Sequence, residues 1–365
     1  MYSSPQLTVD LSALQANYRL LSEMVNPSET AAVVKANAYG VDVAPVARAL
    51  AQAGCRTFFT AYAEEALQLR AAAPEAAIAP LHGVNEHEQA EAYARNITPV
   101  LNSLDALAQW TGFARKLGRK LPAFIHLDTG MNRLGLGPDE QERLIGDPTR
   151  LDGLEITGWM SHFSCSEEFD NPLTTRQRDR FKTLLARLPK APATLCNSSG
   201  IFWGRDYIFD IARPGVAIYG VNPTPGRPNP MRGVIELKVP ILQIRDVDTP
   251  MTVGYGATHR IARKGRIATL ALGYADGYLR SLSNQGQVKI ENFLAPVVGR
   301  ISMDLTTIDV SDIPEAVAHT GALATVIGPH RPVDTVAREA GTTGYEILTS
   351  LGSRHQRHYI AAGGA

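Results

Sequence analysis

A chain of 365 residues exceeds one ordinary hydrophobic core and predicts two domains, one of them large enough to be a full barrel. Apolar residues at 44% and charged residues at 20% describe an ordinary globular enzyme and exclude a disordered or fibrous chain. Lys plus Arg and Asp plus Glu both number 36, so no net field favours nucleic acid or an anionic membrane surface.

From residue 10 to about residue 220, short β-rich runs alternate with amphipathic stretches, the rhythm of parallel strands joined by crossover helices. Asp10 is positioned to cap a first helix, whose inner face is read from Leu14, Tyr18, Leu21 and Val25. A buried strand follows over 31–34, then a helix over 43–53 with Gly54 as its stop, then a strand over 57–61. Further strands are predicted over 76–81, 97–101, 121–127, 154–160, 193–196 and 209–212. The total of eight strands in about 200 residues predicts a closed (β/α)₈ barrel in preference to an open sheet.

Past Gly220, the run Asn222-Pro223-Thr224-Pro225-Gly226-Arg227-Pro228-Asn229-Pro230 can sustain neither a helix nor a central strand and marks a boundary. The barrel is therefore assigned to 1–229, with its first ten residues free to pair with a mainly-β domain over 230–365. That domain is read from β-rich runs at 234–247, 265–272, 287–290, 305–310 and 323–327, with few long helical patterns. The N-terminus lacks a basic segment followed by an apolar stretch, and no apolar run is long enough to span a bilayer, so a cytoplasmic location is expected. Cys55, Cys165 and Cys196 are odd in number and far apart, which fits reduced thiols better than disulfides or a metal site.

In such a barrel the working groups follow the strands. Lys35, His82, Arg133, His162, Ser198 and Arg213 all fall there, with His126 near the end of the fifth strand. The loops after strands seven and eight often cradle a phosphate, and here they read Asn197-Ser198-Ser199-Gly200 and Arg213-Pro214-Gly215-Val216, rich in hydroxyls and unobstructed backbone N–H groups. A primary amine beside a phosphate site is what an enzyme with an aldehyde cofactor needs. Taken singly, Lys35 could reach solvent, His162 could be a satisfied structural histidine, Arg213 an ion-pair partner, and Tyr255 and Tyr274 half-buried aromatics beside glycine turns. His82 and His87 read as structural. His355 and His358 read as a solvated basic segment with no third ligand, so no metal is expected.

Several motifs together resemble the alanine racemases along nearly the whole chain. Val33-Val34-Lys35-Ala36-Asn37-Ala38-Tyr39-Gly40 is similar to the family's cofactor-lysine motif. Asp128-Thr129-Gly130-Met131-Asn132-Arg133-Leu134-Gly135, Arg213-Pro214-Gly215 with Tyr219-Gly220, and Gly299-Arg300-Ile301-Ser302-Met303-Asp304 resemble three others in the family's order. The resemblance implies pyridoxal 5'-phosphate as cofactor, Lys35 as its Schiff-base lysine, and Tyr39, Asn197, Ser198, Gly215 and Val216 on its phosphate. It further implies Arg213 at the pyridine nitrogen with His162 beside it, and Arg133 near the cofactor's phenolic oxygen and the substrate carboxylate. Tyr255 and Met303 would enter from the partner of a homodimer.

The implied reaction is interconversion of L- and D-alanine, with D-alanine either supplied as a peptidoglycan precursor or degraded as a nutrient, and with serine or a broader range of substrates left open by the sequence. Inversion needs one base on each face of the α-carbon, and the resemblance assigns these roles to Lys35 and Tyr255. A phenol is only about one part in a thousand ionised at neutral pH, so the cationic pair Arg213 and His162 is expected to stabilise the phenolate.

Two positions depart from the family pattern. His126 stands where many members carry a carbamylated lysine that orients the arginine equivalent to Arg133, and Ser353 stands where many have a tyrosine on the phosphate. Two other readings stay open: a decarboxylase of the same cofactor class, against which Tyr255 argues, and a non-catalytic cofactor-binding barrel, against which the β-rich second half argues.

Overall fold

The computed structural model describes residues 4–361; the outermost positions of the two expected domains, with the start of the segment read for a leader, lie outside them. Leu11–Val25 forms the first helix, and Asp10 caps it by accepting from Ala13 N at 2.9 Å. Leu14, Tyr18, Leu21 and Val25 are all buried, as their spacing predicts. The second helix, Val43–Gln52, ends just before Gly54, whose φ of 102° only glycine adopts readily.

Eight strand positions close a parallel ring. Ala32–Val33 pairs with Thr57–Thr60, which pairs with Ala77–Pro80. Ile78 then bridges to Ile97, and Val100–Leu101, Leu121–His126, Leu154–Met160 and Ala193–Thr194 follow side by side. Arg213 N donates to Cys196 O at 2.9 Å, and Ile211–Ala212 pairs with Glu29–Thr30, which returns the ring to its start. Regular pairing is shorter than the predicted runs at 97–101 and 209–212. Ring curvature leaves only the residues that directly face a neighbour in register.

The second half is built on one long strand, Ile235–Val247, which pairs antiparallel with Gly265–Leu270, with Leu323–Ile327 and with the N-terminal strand Gln6–Asp10. Gln6–Asp10 is also paired in parallel with Gln356–Ile360, so both ends of the chain meet in this sheet. Two helices, Val333–Ala340 and Gly344–Thr349, interrupt the β-rich pattern. At this length their periodicity is too brief to stand out in sequence. The run 222–230 contains neither helix nor strand, and Arg227 lies over the Phe169 ring at 4.3 Å, tying it to the barrel. Among the described residues, no helix is long and apolar enough to cross a membrane.

Candidate active site

The mouth of the ring encloses a cavity of about 450 Å³. Lys35, Tyr39, Arg133, His162, Asn197, Ser198, Arg213, Gly215 and Val216 all line it, with His82, His126 and Tyr345. Its cations are Lys35, Arg133 and Arg213, and no Asp or Glu is among its lining residues, so the field favours an anionic ligand. A second cavity, of about 530 Å³, has the opposite character: Asp10, Glu236 and Asp334 line it without any Lys, Arg or His.

Lys35 opens an unusual turn. Ala36, Asn37, Ala38 and Tyr39 all have φ between 52° and 54°, a left-handed helical turn made of L-residues. Each such residue costs about 1–2 kcal/mol, so the surroundings must hold the turn. Glu65 accepts from Ala36 N, Asn37 Oδ1 accepts from Val43 N, and Arg357 donates to Gly40 O at 3.1 Å. Burial and the nearby Arg133 lower the Lys35 pKa, while Glu65 opposes them, so the neutral amine is more available than in a surface lysine.

The turn delivers Tyr39 onto Tyr219, ring centroids 4.6 Å apart, and aims its hydroxyl at Gly215. A Cβ at Gly215 would lie 2.2 Å from that oxygen, so only glycine fits. Ser198 Oγ accepts from Gly215 N at 3.0 Å and from Ala217 N at 3.3 Å. With its lone pairs so used, the hydroxyl proton is free to be donated to a ligand. This hydroxyl, the adjoining glycine and the absence of lining carboxylates suit a phosphate-bearing aldehyde that Lys35 could capture. Asn197 Oδ1 is already taken by Gly200 N and Ser166 Oγ, which leaves its amide nitrogen as the usable donor.

Arg213 is 3% exposed and bonds Ser161 O at 2.7 Å, Thr194 Oγ1, and His162 Nδ1 at 3.3 Å. Arginine only donates, so His162 Nδ1 must be the bare nitrogen and Nε2 carries the proton. Burial, then Arg213 and Arg133, holds the His162 pKa well below its ordinary value. This corrects the expected pair of cations: Arg213 supplies the charge, and His162 is a neutral donor through Nε2–H.

Tyr255 and Met303 are not brought to this cavity. Within one chain they lie on the β-rich half at 73% and 54% exposure, Tyr255 beside Arg300 on a separate surface cavity. His82, read as structural, sits on the cavity wall with its ring 4.7 Å edge-on to Tyr62. His355, read as solvated, is buried and bonds Asp276 O at 2.7 Å, just ahead of the strand Gln356–Ile360. Among the described residues, no cluster of three or more His, Cys, Asp or Glu is placed to hold a metal ion.

Two contributors received no role from the sequence. Asp128 gathers the backbone N–H groups of Gly130, Met131 and Asn132 and so shapes the loop that carries Arg133. Tyr345 reaches the cavity from the helix Gly344–Thr349 and donates to Glu167 at 2.8 Å, while Ser353 is exposed and outside the cavity lining.

Comparison with known proteins gives two family matches: the alanine racemase N-terminal domain over residues 9–223 and the alanine racemase C-terminal domain over 234–359. An alanine racemase of Acidiphilium cryptum is 50% identical over 353 residues, covering 97% of this chain and 98% of its own. One from Rhodospirillum rubrum is 46% identical, covering 97% and 95%. The crystal structure of alanine racemase from Bartonella henselae with covalently bound pyridoxal phosphate superposes with a TM-score of 0.95 at 41% identity, covering 98% of this chain and all of that one.

Proposed function

The chain belongs to the alanine racemase family, and from that premise we propose that Lys35 and Tyr255 are its two catalytic bases. It is a pyridoxal-phosphate-dependent isomerase that interconverts L- and D-alanine. When bound, the cofactor supplies a conjugated, electron-withdrawing ring that disperses the charge left as the α-proton departs.

In this reading Lys35 anchors the cofactor's aldehyde carbon, and its amine exchanges the α-proton on one face of the substrate. The lowered pKa of Lys35 favours both duties at neutral pH. Tyr39, Ser198 and the backbone of Gly215 and Val216 hold the phosphate, with Asn197 beside them. Arg213 meets the pyridine nitrogen, and Arg133 binds the substrate carboxylate.

The partner's Tyr255 exchanges the proton on the opposite face, with the partner's Met303 beside the substrate. His162 then offers its Nε2–H to the phenolic oxygen, with Arg213 behind it as the source of positive charge. The 73% exposure of Tyr255 in a single chain supports this arrangement, because such a residue is free to enter a neighbour's cavity. We therefore read the active form as a homodimer, divided at residues 229 and 230 into the barrel and the β-domain that completes the partner's site. We place it in the cytoplasm as a source of D-alanine for peptidoglycan precursors.

The observation that carries the proposal is the convergence of Lys35, Arg133, Arg213 and the Ser198 hydroxyl on one cavity free of carboxylates. The test is α-hydrogen exchange of L- and D-alanine in heavy water by the holoenzyme. Exchange of both enantiomers, abolished by Lys35→Ala, is expected. Exchange without interconversion in the wild type, or undiminished racemisation by Tyr255→Phe, would refute the two-base assignment.

A further inference from the structure

We propose that Arg354 is a positioning residue: it joins Asp304 to Asp276 and so fixes the tip of the turn that carries Met303 into the partner's cavity. The inference rests on the reading of Met303 as a residue that enters the partner's site beside the substrate.

The turn runs from Ser302 to Leu305. Ser302 N donates to Leu305 O at 3.0 Å and Leu305 N donates to Ser302 Oγ at 3.2 Å, which leaves Met303 and Asp304 at the tip. Its inner side lies on the short helix Tyr274–Asp276: Tyr274 N donates to Ser302 O and Ala275 N to Met303 O, each at 3.0 Å. A Cβ at Gly273 would lie 2.2 Å from Met303 O, so the two backbones touch there. The carbonyls of the turn are thus held from beneath, while Met303 and Asp304 stay exposed.

Arg354 supplies the hold from outside. Its Nη1 donates to Asp304 Oδ1 at 2.7 Å and its Nε to Asp276 Oδ1 at 2.8 Å. Asp276 is a fixed post: it is buried, and its other oxygen accepts from Gly273 N at 2.8 Å. The backbone around Arg354 is fixed as well. Gly352 N donates to Asp276 O at 3.4 Å, and His355 Nε2 bonds the same oxygen at 2.7 Å. Arg357 donates to Gly40 O at 3.1 Å, on the turn that follows Lys35. A planar guanidinium anchored through Nε has little freedom at Nη1, so it sets where Asp304 lies.

Exposure decides what the link is for. The Arg354 and Asp304 side chains are 49% and 56% exposed, and an ion pair in that setting adds little to folding stability. The backbone of the turn is already held through the carbonyls of Ser302 and Met303, so the link acts on the position of the tip.

The test uses mixed dimers with one intact site, made by co-refolding Lys35→Ala with Tyr255→Phe in the presence of pyridoxal phosphate. That site takes Lys35 from the Tyr255→Phe chain, and Tyr255 and Met303 from the Lys35→Ala chain. Arg354→Ala on the Lys35→Ala chain is expected to raise KM for alanine about fivefold, the upper reach of an exposed ion pair, with kcat within about twofold. The same substitution on the Tyr255→Phe chain should leave KM within about twofold of its starting value. Arg354→Lys, which keeps the charge but not the fork, should recover part of the loss. Asp304→Ala combined with Arg354→Ala on one chain should add nothing, because both remove one link. Equal KM changes from the two placements, no change from either, or a further loss in the combined variant overturns the proposal. Should Arg354→Ala fail to fold, Asp304→Ala at the exposed end of the link carries the same comparison. No activity in any mixed dimer, with mixed dimers demonstrated by mass spectrometry, would instead defeat the shared-site reading and this inference with it.

Discussion

Glu65 joins two strand ends through one carboxylate: one oxygen accepts from Ala36 N at 2.7 Å, and the other accepts from Ala61 N at 2.7 Å. The contact to Ala36 falls on the first residue of the left-handed turn that follows Lys35. An otherwise costly backbone is thereby clipped to the neighbouring strand. Glu65→Ala is expected to destabilise the fold by about 1–3 kcal/mol and to weaken cofactor binding, with Glu65→Gln intermediate. Urea unfolding and cofactor titration of the three proteins check this, and equal affinities would show that the turn holds itself.

Gly215 is expected to tolerate no side chain. Gly215→Ala places a methyl 2.2 Å from the Tyr39 hydroxyl and 3.0 Å from its ring carbon, so the tyrosine must leave the place proposed for it at the phosphate. Cofactor affinity should fall at least about tenfold, the scale of one charge-assisted hydrogen bond lost. Adding Tyr39→Phe to Gly215→Ala should relieve the worst of the clash without restoring affinity. Equilibrium titration with pyridoxal phosphate distinguishes these outcomes.

His126 and His162 both have folded-state pKa values below their ordinary value, His126 at about 4. Below pH ~6.5 the unfolded chain binds protons that the folded chain refuses, so stability is complete above that pH and falls as pH drops. Each histidine contributes up to about 1.4 kcal/mol per pH unit across its window, which for His126 closes near its folded value. Denaturant midpoints of the apo protein should fall from pH 7 to pH 5, and His126→Gln with His162→Gln should flatten that slope. An unchanged slope would mean that other groups govern acid sensitivity.

The proposed sharing of sites between two subunits predicts complementation. Lys35→Ala and Tyr255→Phe should each be inactive alone, yet co-refolding them in equal amounts should recover up to about a quarter of wild-type activity. Half the dimers are then mixed, and each mixed dimer carries one intact site of two. No recovery, with mixed dimers demonstrated by mass spectrometry, would place both bases in one chain's own site.

The alternation of strands and helices was legible because local periodicity and caps such as Asp10 act within a few residues. The cavity cations were legible for a related reason: in a parallel barrel, any residue that follows a strand is carried to the same face. Other features depended on tertiary structure. Glu65 reaches Ala36, Asn102 reaches His126 and Tyr345 reaches Glu167 only after folding, across 24 to 178 positions of chain. The Nε2–H tautomer of His162 depends on the Arg213 guanidinium that the fold sets against its Nδ1. The exposed position of Tyr255 depends on how far the β-rich half stands from its own chain's barrel mouth. Sequence determined which chemical groups line the barrel-mouth cavity, because that depends on where the strands end; folding alone decided their protonation and orientation, because those depend on hydrogen-bond partners distant along the chain.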